Sequence, residues 1–388
     1  MSGPRGDTHN FGRAVTVTAS RVHKPRTVFW EWLLLSQESA LRRLLDDAAP
    51  DAFAFLPSLK FYKTPGDVER IKLSPLGRAP PHALSAIAGR SLALWSWLGI
   101  TDLHWENLVL GRDARRNIVF GPLDIEMILG DLSLPTETKL LPDADPEVAA
   151  ICRHACGIRR LLPYLGKPVA VSSLLTMIAN YRSTLELLDG LSGEIARVLL
   201  GLPELRQTPI RVMLRGTDEY VRARSAPVWP PLLDAEAEQM ARGDIPYFFR
   251  LYGQKGIRYY GDRALREQKR IPLTGDVPTL DPLLSLSRGL RSPSRKIEEE
   301  GLFAVLGAFD HESFTGTHTN DALTIEFGPR TLAVKLPNGE ELRSPRNLRA
   351  FVGSVYLPCS CGEVRSVFVP TVTTCETRVT AGRRDRVV

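Results

Sequence analysis

Between residues 12 and 26, "GRAVTVTASRVHKPR", apolar and polar residues alternate, which predicts two short strands. After that the period changes. "FWEWLLLSQESALRRLLDDA" (29–48) and "HALSAIAGRSLALWSWLG" (82–99) repeat apolar residues every three or four positions, the spacing of a helix with one face buried. "PEVAAICRHACGIRRLLPYLG" (146–166) and "VSSLLTMIANYRSTLELLDG" (171–190) keep that spacing, each with Gly near its C-terminal end. The helical period breaks between 100 and 127. There "NLVLG" and "NIVFGPLDIEMI" predict short strands on either side of the charged turn "RDARR".

Beyond about residue 275 the character changes again. "LTGDVPTLDPLLSLSRGLRSPSRK" (273–296) is rich in Pro, Gly and Ser and predicts a linker or irregular cover. "ALTIEFGPRTLAVKLPNGEELR" (322–343) predicts strands joined at Gly328-Pro329 and at Asn338-Gly339, the latter a good hairpin turn. "AFVGSVYLPCSC" and "VRSVFVPTV" add two more strands. The expected class is α+β: a mainly helical core, a small β element before it and a β-rich region after it. The expected division is 1–270 for the core and 271–388 for the linker and β-rich region.

Composition narrows the function classes only a little. With 388 residues, 43% of them hydrophobic and 24% charged, the chain can bury a full core. The net charge of +6 is mild and dispersed, so nucleic acid is not expected as a partner. No apolar run reaches membrane-spanning length, so neither a membrane partner nor a signal peptide is expected, and the compartment expected is the cytoplasm. The five cysteines (152, 156, 359, 361 and 375) are odd in number and unevenly spaced, which predicts free thiols in a reducing compartment. "CRHAC" lacks a second ligand pair, so buried helix cysteines are expected there rather than a zinc site.

The chemistry is concentrated in "TDLHWENLVLGRDARRNIVFGPLDIEM" (101–127). Asp102, His104 and Asn107 stand on one arm, Asp124 and Glu126 on the next. An amide and a carboxylate from adjacent arms can hold Mg²⁺ through oxygen while the metal bridges phosphates. Asp102 or His104 can then orient an attacking hydroxyl, much as protein kinases use an Asp and an Asn followed by a metal-binding Asp. Lys24, after the alternating strand, is a candidate phosphate partner. Two further clusters stand out. "GDTHNFGR" carries Asp7, His9 and Arg13, and "RVMLRGT" places Arg211, Arg215 and Thr217 where they can share one anion-binding side.

In order, "GDTHNFGRAV", "VHKPR", "TDLHWENLVL…GPLDIEM", "RVMLRGT" and "EAEQMARGDIPYF" resemble the dehydratase domain of class II lanthipeptide synthetases, the LanM family. The resemblance covers about residues 5 to 265. It implies a kinase-like fold related to the lipid kinases, and use of ATP and Mg²⁺ to phosphorylate Ser or Thr in a precursor peptide. Elimination of the phosphate then leaves dehydroalanine or dehydrobutyrine. By motif, Lys24 would contact ATP phosphates and Asp102 and His104 would serve the transfer, while Asn107 and Asp124 would hold Mg²⁺ with Glu126 nearby. Asp7, His9, Arg211 and Thr217 match positions linked to elimination. The family's Cys-His-Gly zinc motif is not found, so a truncated or stand-alone dehydratase is expected, working with a separate cyclase or an N-terminal partner protein. The alternatives are a peptide Ser/Thr kinase without elimination, or a non-catalytic peptide-binding remnant.

Overall fold

The computed structural model describes residues 4–271, apart from 65, 130–134, 137, 142–155, 167–168, 229–230 and 255, and residues 292–346 apart from 312. Four strands between 349 and 375 are described as backbone. The architecture is mixed α+β, with several small antiparallel sheets set on a helical core.

The two strands expected over 12–26 are β2 (Arg13–Val17) and β3 (Arg21–His23). They are the middle of a four-stranded antiparallel sheet with β1 (Pro4–His9) and β4 (Asp67–Glu69) at its edges. The β1–β2 turn is tight: Asn10, Phe11 and Gly12 all take positive φ, at 49°, 73° and 76°. Asp244, fully buried, steadies this turn by accepting from Phe11 N at 2.7 Å and Gly12 N at 2.8 Å.

The single helix expected over 29–48 is two helices, α1 (Phe29–Leu35) and α2 (Ala40–Ala48). Serines cause the break, because a short hydroxyl side chain competes for nearby backbone groups. Ser36 turns extended at the end of α1, and the Ser39 hydroxyl donates to Leu33 O while capping Arg42 N. Helix α3 (Pro81–Trp97) matches its expected span and begins on Pro81, where the missing N–H costs nothing. The described part of the helix expected over 146–166 holds only a 3₁₀ turn (Gly157–Arg160) and the short α4 (Leu162–Leu165), because Cys156 is extended and pairs with His104. The rest of it, including Cys152 and His154, lies outside the described residues.

Helix α5 (Val171–Gly190) crosses α3 at close range to form the centre of the core. Gly89 permits the approach: a Cβ there would lie 2.2 Å from Met177 O. Leu84, Leu92, Trp95, Leu174, Ile178 and Tyr181 are buried in this core. Helix α6 (Ser192–Leu200) follows and packs on α2.

A second four-stranded antiparallel sheet, in the order β10-β9-β8-β7, is formed by β7 (Ile210–Val212), β8 (Phe248–Arg250), β9 (Arg258–Tyr260) and β10 (Gln268–Arg270). Helices α7 (Thr217–Ala223) and α8 (Asp234–Ala241) lie between β7 and β8 in the chain, and Phe248, Ile257, Tyr259 and Leu233 make a small core of their own. Most of the linker expected over 273–296 is outside the described residues, but its last residues begin α9 (Ser292–Phe309). Leu302, Val305 and Leu306 of α9 join the main core beside α5.

The strands expected after 322 are β12 (Thr324–Phe327), β13 (Thr331–Lys335) and β14 (Glu341–Pro345), preceded by β11 (Gly316–Thr319). The Asn338-Gly339 connection is longer than a two-residue turn, since Lys335 pairs with Glu341. Of its residues Gly339 takes the left-handed conformation, at φ 86°. The final strands pair as β15 (Arg349–Val352) with β18 (Val372–Cys375) and β16 (Val355–Pro358) with β17 (Val364–Val367). Among the described residues no helix is long and apolar enough to cross a membrane.

Candidate functional site

Strands β5 (Leu108–Arg112) and β6 (Ile118–Pro122) form the hairpin that sets the site's two arms side by side. Leu123 N donates to Asn107 O at 3.1 Å, Thr101 N to Met127 O at 3.1 Å and Leu129 N to Leu98 O at 3.0 Å. The stretch 98–107 and the stretch 123–129 are thereby tied at both ends, directly below the last turn of α3.

Lys24 enters this region from the end of β3. Its ammonium donates to Glu31 Oε1 (2.8 Å), Leu123 O (2.7 Å) and Asp124 Oδ1 (2.8 Å). Arg26, one turn of chain further on, also pairs with Glu31 and Asp124, and its Nε lies 2.8 Å from Glu126 Oε1. Glu31 is fully buried on the otherwise apolar α1. Burial pushes the Asp124 carboxyl up, but Lys24 and then Arg26 outweigh it and hold it well below the usual carboxylate range. Burial likewise opposes the charge on Arg26, and Glu126, Glu31 and Asp124 together raise its pKa well above the ordinary arginine value.

Asp102 takes a left-handed backbone at φ 67°, which Asp tolerates better than most residues. Its Oδ1 lies 2.8 Å from Lys139 Nζ, and its carbonyl accepts from Asn107 Nδ2 at 2.9 Å. His104 is half-buried, with Glu106 N at 3.4 Å from its Nδ1. Asn107 thus spends its amide nitrogen on Asp102, which leaves its amide oxygen as the acceptor that could ligate a cation. Lys24 and Arg26 both meet Asp124 on Oδ1, so Oδ2 remains for a further partner, and the side chain is 38% exposed. An amide oxygen and a carboxylate oxygen suit a hard cation such as Mg²⁺. Glu126, expected at the metal with them, is held between Arg26 and Arg211. Among the described residues no three His, Cys, Asp or Glu side chains gather as a metal site.

Arg211 and His9, which the resemblance links to elimination, lie near Glu126. Arg211 N donates to Glu126 O at 2.9 Å, and its guanidinium lies 3.5 Å from Glu126 Oε2 and 5.5 Å from the Tyr247 ring. Burial works against this charge, and Glu126, Tyr247, Asp102 and Asp124 overcome it, raising the pKa. His9 is 5.8 Å from Tyr247, centroid to centroid, and its Nδ1 is 2.7 Å from Ile245 O. A carbonyl oxygen can only accept, so Nδ1 donates and Nε2 of the neutral ring keeps its lone pair. Burial and the Arg211 charge lower the His9 pKa below its ordinary 6.5, which keeps the ring neutral at pH 7. Asp7 is exposed two residues earlier on the same strand, and its charge reaches His9. Thr217, half-buried, opens α7.

Arg215 does not share a side with Arg211. It is buried against Glu236, with Nε 3.2 Å from Oε1, and it donates to Pro231 O at 2.9 Å. The chain leaves β7 after Val212, and the bend before α7 turns Arg215 inward. The alternation that would align the two arginines does not extend that far.

A cleft of about 240 Å³ opens beside Glu126 and Arg26, walled by Trp30, Pro209, Tyr247 and Tyr260 and reached by Asn10. Arg26, Tyr247 and Asp244 stand inside the quoted motifs without an assigned role, and Glu31 stands outside them. A charge inside "FWEWLLL" was the available signal for Glu31, since an ionised group in an apolar helix requires a partner. Compared with known families and with curated proteins, the chain matches no family model and no curated sequence.

Proposed function

We propose that this chain is an ATP- and Mg²⁺-dependent dehydratase on a kinase-like fold. It would act on Ser and Thr residues of a ribosomally made precursor peptide, phosphorylating the hydroxyl and then eliminating the phosphate. What carries the proposal is the triple contact of Lys24 with Glu31, Asp124 and the Leu123 carbonyl. Kinases pair a strand lysine with a helix glutamate beside a metal-holding aspartate, and here strand, helix and hairpin bring the same three residue types together.

In this scheme Asn107 and Asp124 would hold Mg²⁺, and Lys24 would contact the phosphates. Bound Mg-ATP supplies the transferable phosphoryl group and the counter-charge for it. Asp102, with His104 on the same arm, orients the attacking hydroxyl and receives its proton. For elimination, neutral His9 can take the α-proton on Nε2, with Asp7 close enough to steady the resulting charge. Arg211 and Thr217 serve the departing phosphate, and ring closure falls to a separate cyclase.

One observation favours the alternative of a peptide kinase that stops at phosphopeptide: Arg215 is buried against Glu236, so the expected anion-binding face loses one arginine. The test is direct. Mg-ATP at about a hundred times its Kd stabilises a binding protein by about 2.7 kcal/mol, so a matching rise in unfolding free energy is expected here and its loss in Asp124→Asn. With the precursor peptide, Asp124→Asn is expected to lower ADP production at least about a thousandfold. Unchanged turnover in that variant refutes the metal assignment. Wild-type protein that yields only phosphopeptide promotes the kinase.

A further inference from the structure

Asp102 and Lys139 meet from backbones that are both left-handed, at φ 67° and 64°. That conformation costs a non-glycine residue energy and persists where the surroundings fix it. Here backbone hydrogen bonds fix it. Leu103 N donates to Thr138 O at 2.9 Å, Gly157 N to Lys139 O at 2.9 Å and Ile158 N to Leu140 O at 2.8 Å. Gly157 lets these stretches close up, since a Cβ there would lie 2.3 Å from Leu103 O. The Lys139 ammonium is held 2.8 Å from Asp102 Oδ1, while Asn107 Nδ2 lies 3.3 Å from Oδ2. Both oxygens of the carboxylate proposed to orient the hydroxyl are therefore engaged.

The cations of the region differ in what they can still reach. Lys24 is spent on three oxygens and Arg26 on three carboxylates, and their side chains are 7% and 13% exposed. Arg211 is 17% exposed and faces Glu126. Lys139 is 40% exposed and meets one carboxylate oxygen among the described residues. An ion pair this open to water is weak, so the flexible ammonium can leave Asp102 for a more highly charged anion. A terminal phosphate offers that charge together with three acceptor oxygens. The position fits as well: Asn107 bonds to Asp102 on one side and, through its carbonyl, to Leu123 beside Asp124 on the other.

We propose that Lys139 is a phosphate-contacting residue: its ammonium moves from Asp102 to the terminal phosphate of a bound polyphosphate and so frees Asp102 Oδ1. Resting on the proposed function for this step alone, the freed oxygen is the one that orients the acceptor hydroxyl.

The test measures, by calorimetry on the full chain, the affinity for inorganic tripolyphosphate in the presence of Mg²⁺. Wild-type protein is expected to bind it saturably. Lys139→Gln is expected to lower the affinity at least about tenfold, the size of one lost charge-assisted hydrogen bond. Lys139→Arg, which keeps the charge, should stay within about threefold of wild type. The same Lys139→Gln change is then made in an Asp102→Asn background. A contact to phosphate predicts that the tenfold loss persists there, whereas a lysine that only neutralises Asp102 predicts that it vanishes. Should a variant fail to fold, wild-type protein still decides. Mass spectrometry is expected to show acetylation of Lys139 slowed at least about threefold by the magnesium tripolyphosphate, with exposed Lys72 unchanged. No saturable binding, unchanged affinity in Lys139→Gln, a loss that vanishes in the Asp102→Asn background, or equal acetylation of Lys139 with and without the ligand overturns the proposal. Binding with this dependence by a protein that transfers no phosphate from ATP upholds the Lys139 contact and refutes the phosphoryl-transfer function. Transfer by wild-type protein, with affinity and turnover unchanged in Lys139→Gln, does the reverse.

Discussion

Lys24 Nζ and Asp124 Oδ1 lie 2.8 Å apart although 100 residues separate them in the chain. The contact exists because β3 ends where the β5–β6 hairpin returns, and because fully buried Glu31 shares the same ammonium from α1. Lys24 is itself buried, so its position depends on all three oxygen partners.

Glu31 is therefore expected to matter for stability as well as for positioning. Replacing it with Leu leaves Lys24 and Arg26 short of a buried counter-charge, and loss of one partner of a buried pair typically costs about 3–5 kcal/mol. Urea unfolding of Glu31→Leu should show that loss. Glu31→Gln, which keeps the shape and part of the hydrogen bonding, should lose less. Equal stability of wild type and Glu31→Leu contradicts the network.

Arg211 and Arg215 are expected to separate cleanly. On the proposed function, Arg211→Ala should accumulate phosphopeptide in the presence of the precursor and Mg-ATP, because the charge proposed to face the departing phosphate is gone while Lys24, Asn107 and Asp124 remain. Mass spectrometry distinguishes added phosphate from lost water. Arg215→Ala should instead lower the unfolding midpoint, since it removes a charge-assisted partner of buried Glu236. Phosphopeptide accumulation confined to a folded Arg215→Ala variant would reverse these roles.

His9 imposes a pH dependence on stability. Its folded-state pKa is below the ordinary 6.5, so the unfolded chain binds a proton more readily than the folded one. The contribution is complete above the unfolded-state value and is lost as pH falls through the folded one. Between about pH 7 and about pH 5, unfolding free energy should fall less steeply in His9→Gln than in wild type. Parallel curves for the two proteins would exclude His9 as the titrating group.

Gly89 sets the spacing of α3 and α5. Gly89→Ala places a methyl group against Met177 O and Tyr181 N, both backbone atoms, so relief requires the helices to part. An overpacked contact of this kind costs about 1–3 kcal/mol, measurable as a lower urea midpoint. A neutral or stabilising result would show that the helix pair can shift without penalty.

Periodicity alone located several of the regular elements. The alternation at 12–26 appears as β2 and β3, and the three- and four-residue spacing over 82–99 and 171–190 appears as α3 and α5. The break at Ser36–Ser39 was less legible, because the apolar spacing runs through it and a hydroxyl's local hydrogen bond leaves no mark on the pattern. The strands β7 to β10 span three residues each, too few to establish a period of two.

By itself the sequence determined which residue types lie close along the chain: Asp102, His104 and Asn107 on one arm, Asp124 and Glu126 on the next. Tertiary structure decided how each of those charges is answered. Arg26 and Arg211 draw Glu126 between them, Arg215 turns away to Glu236, and Asn10, on its left-handed turn, lines the cleft. The physical reason is that a buried charge or acceptor must be met by whatever partner the packed elements bring within about 3 Å. For Lys24, Arg26 and Arg211 those elements come from strands, a helix and a hairpin far apart in the chain.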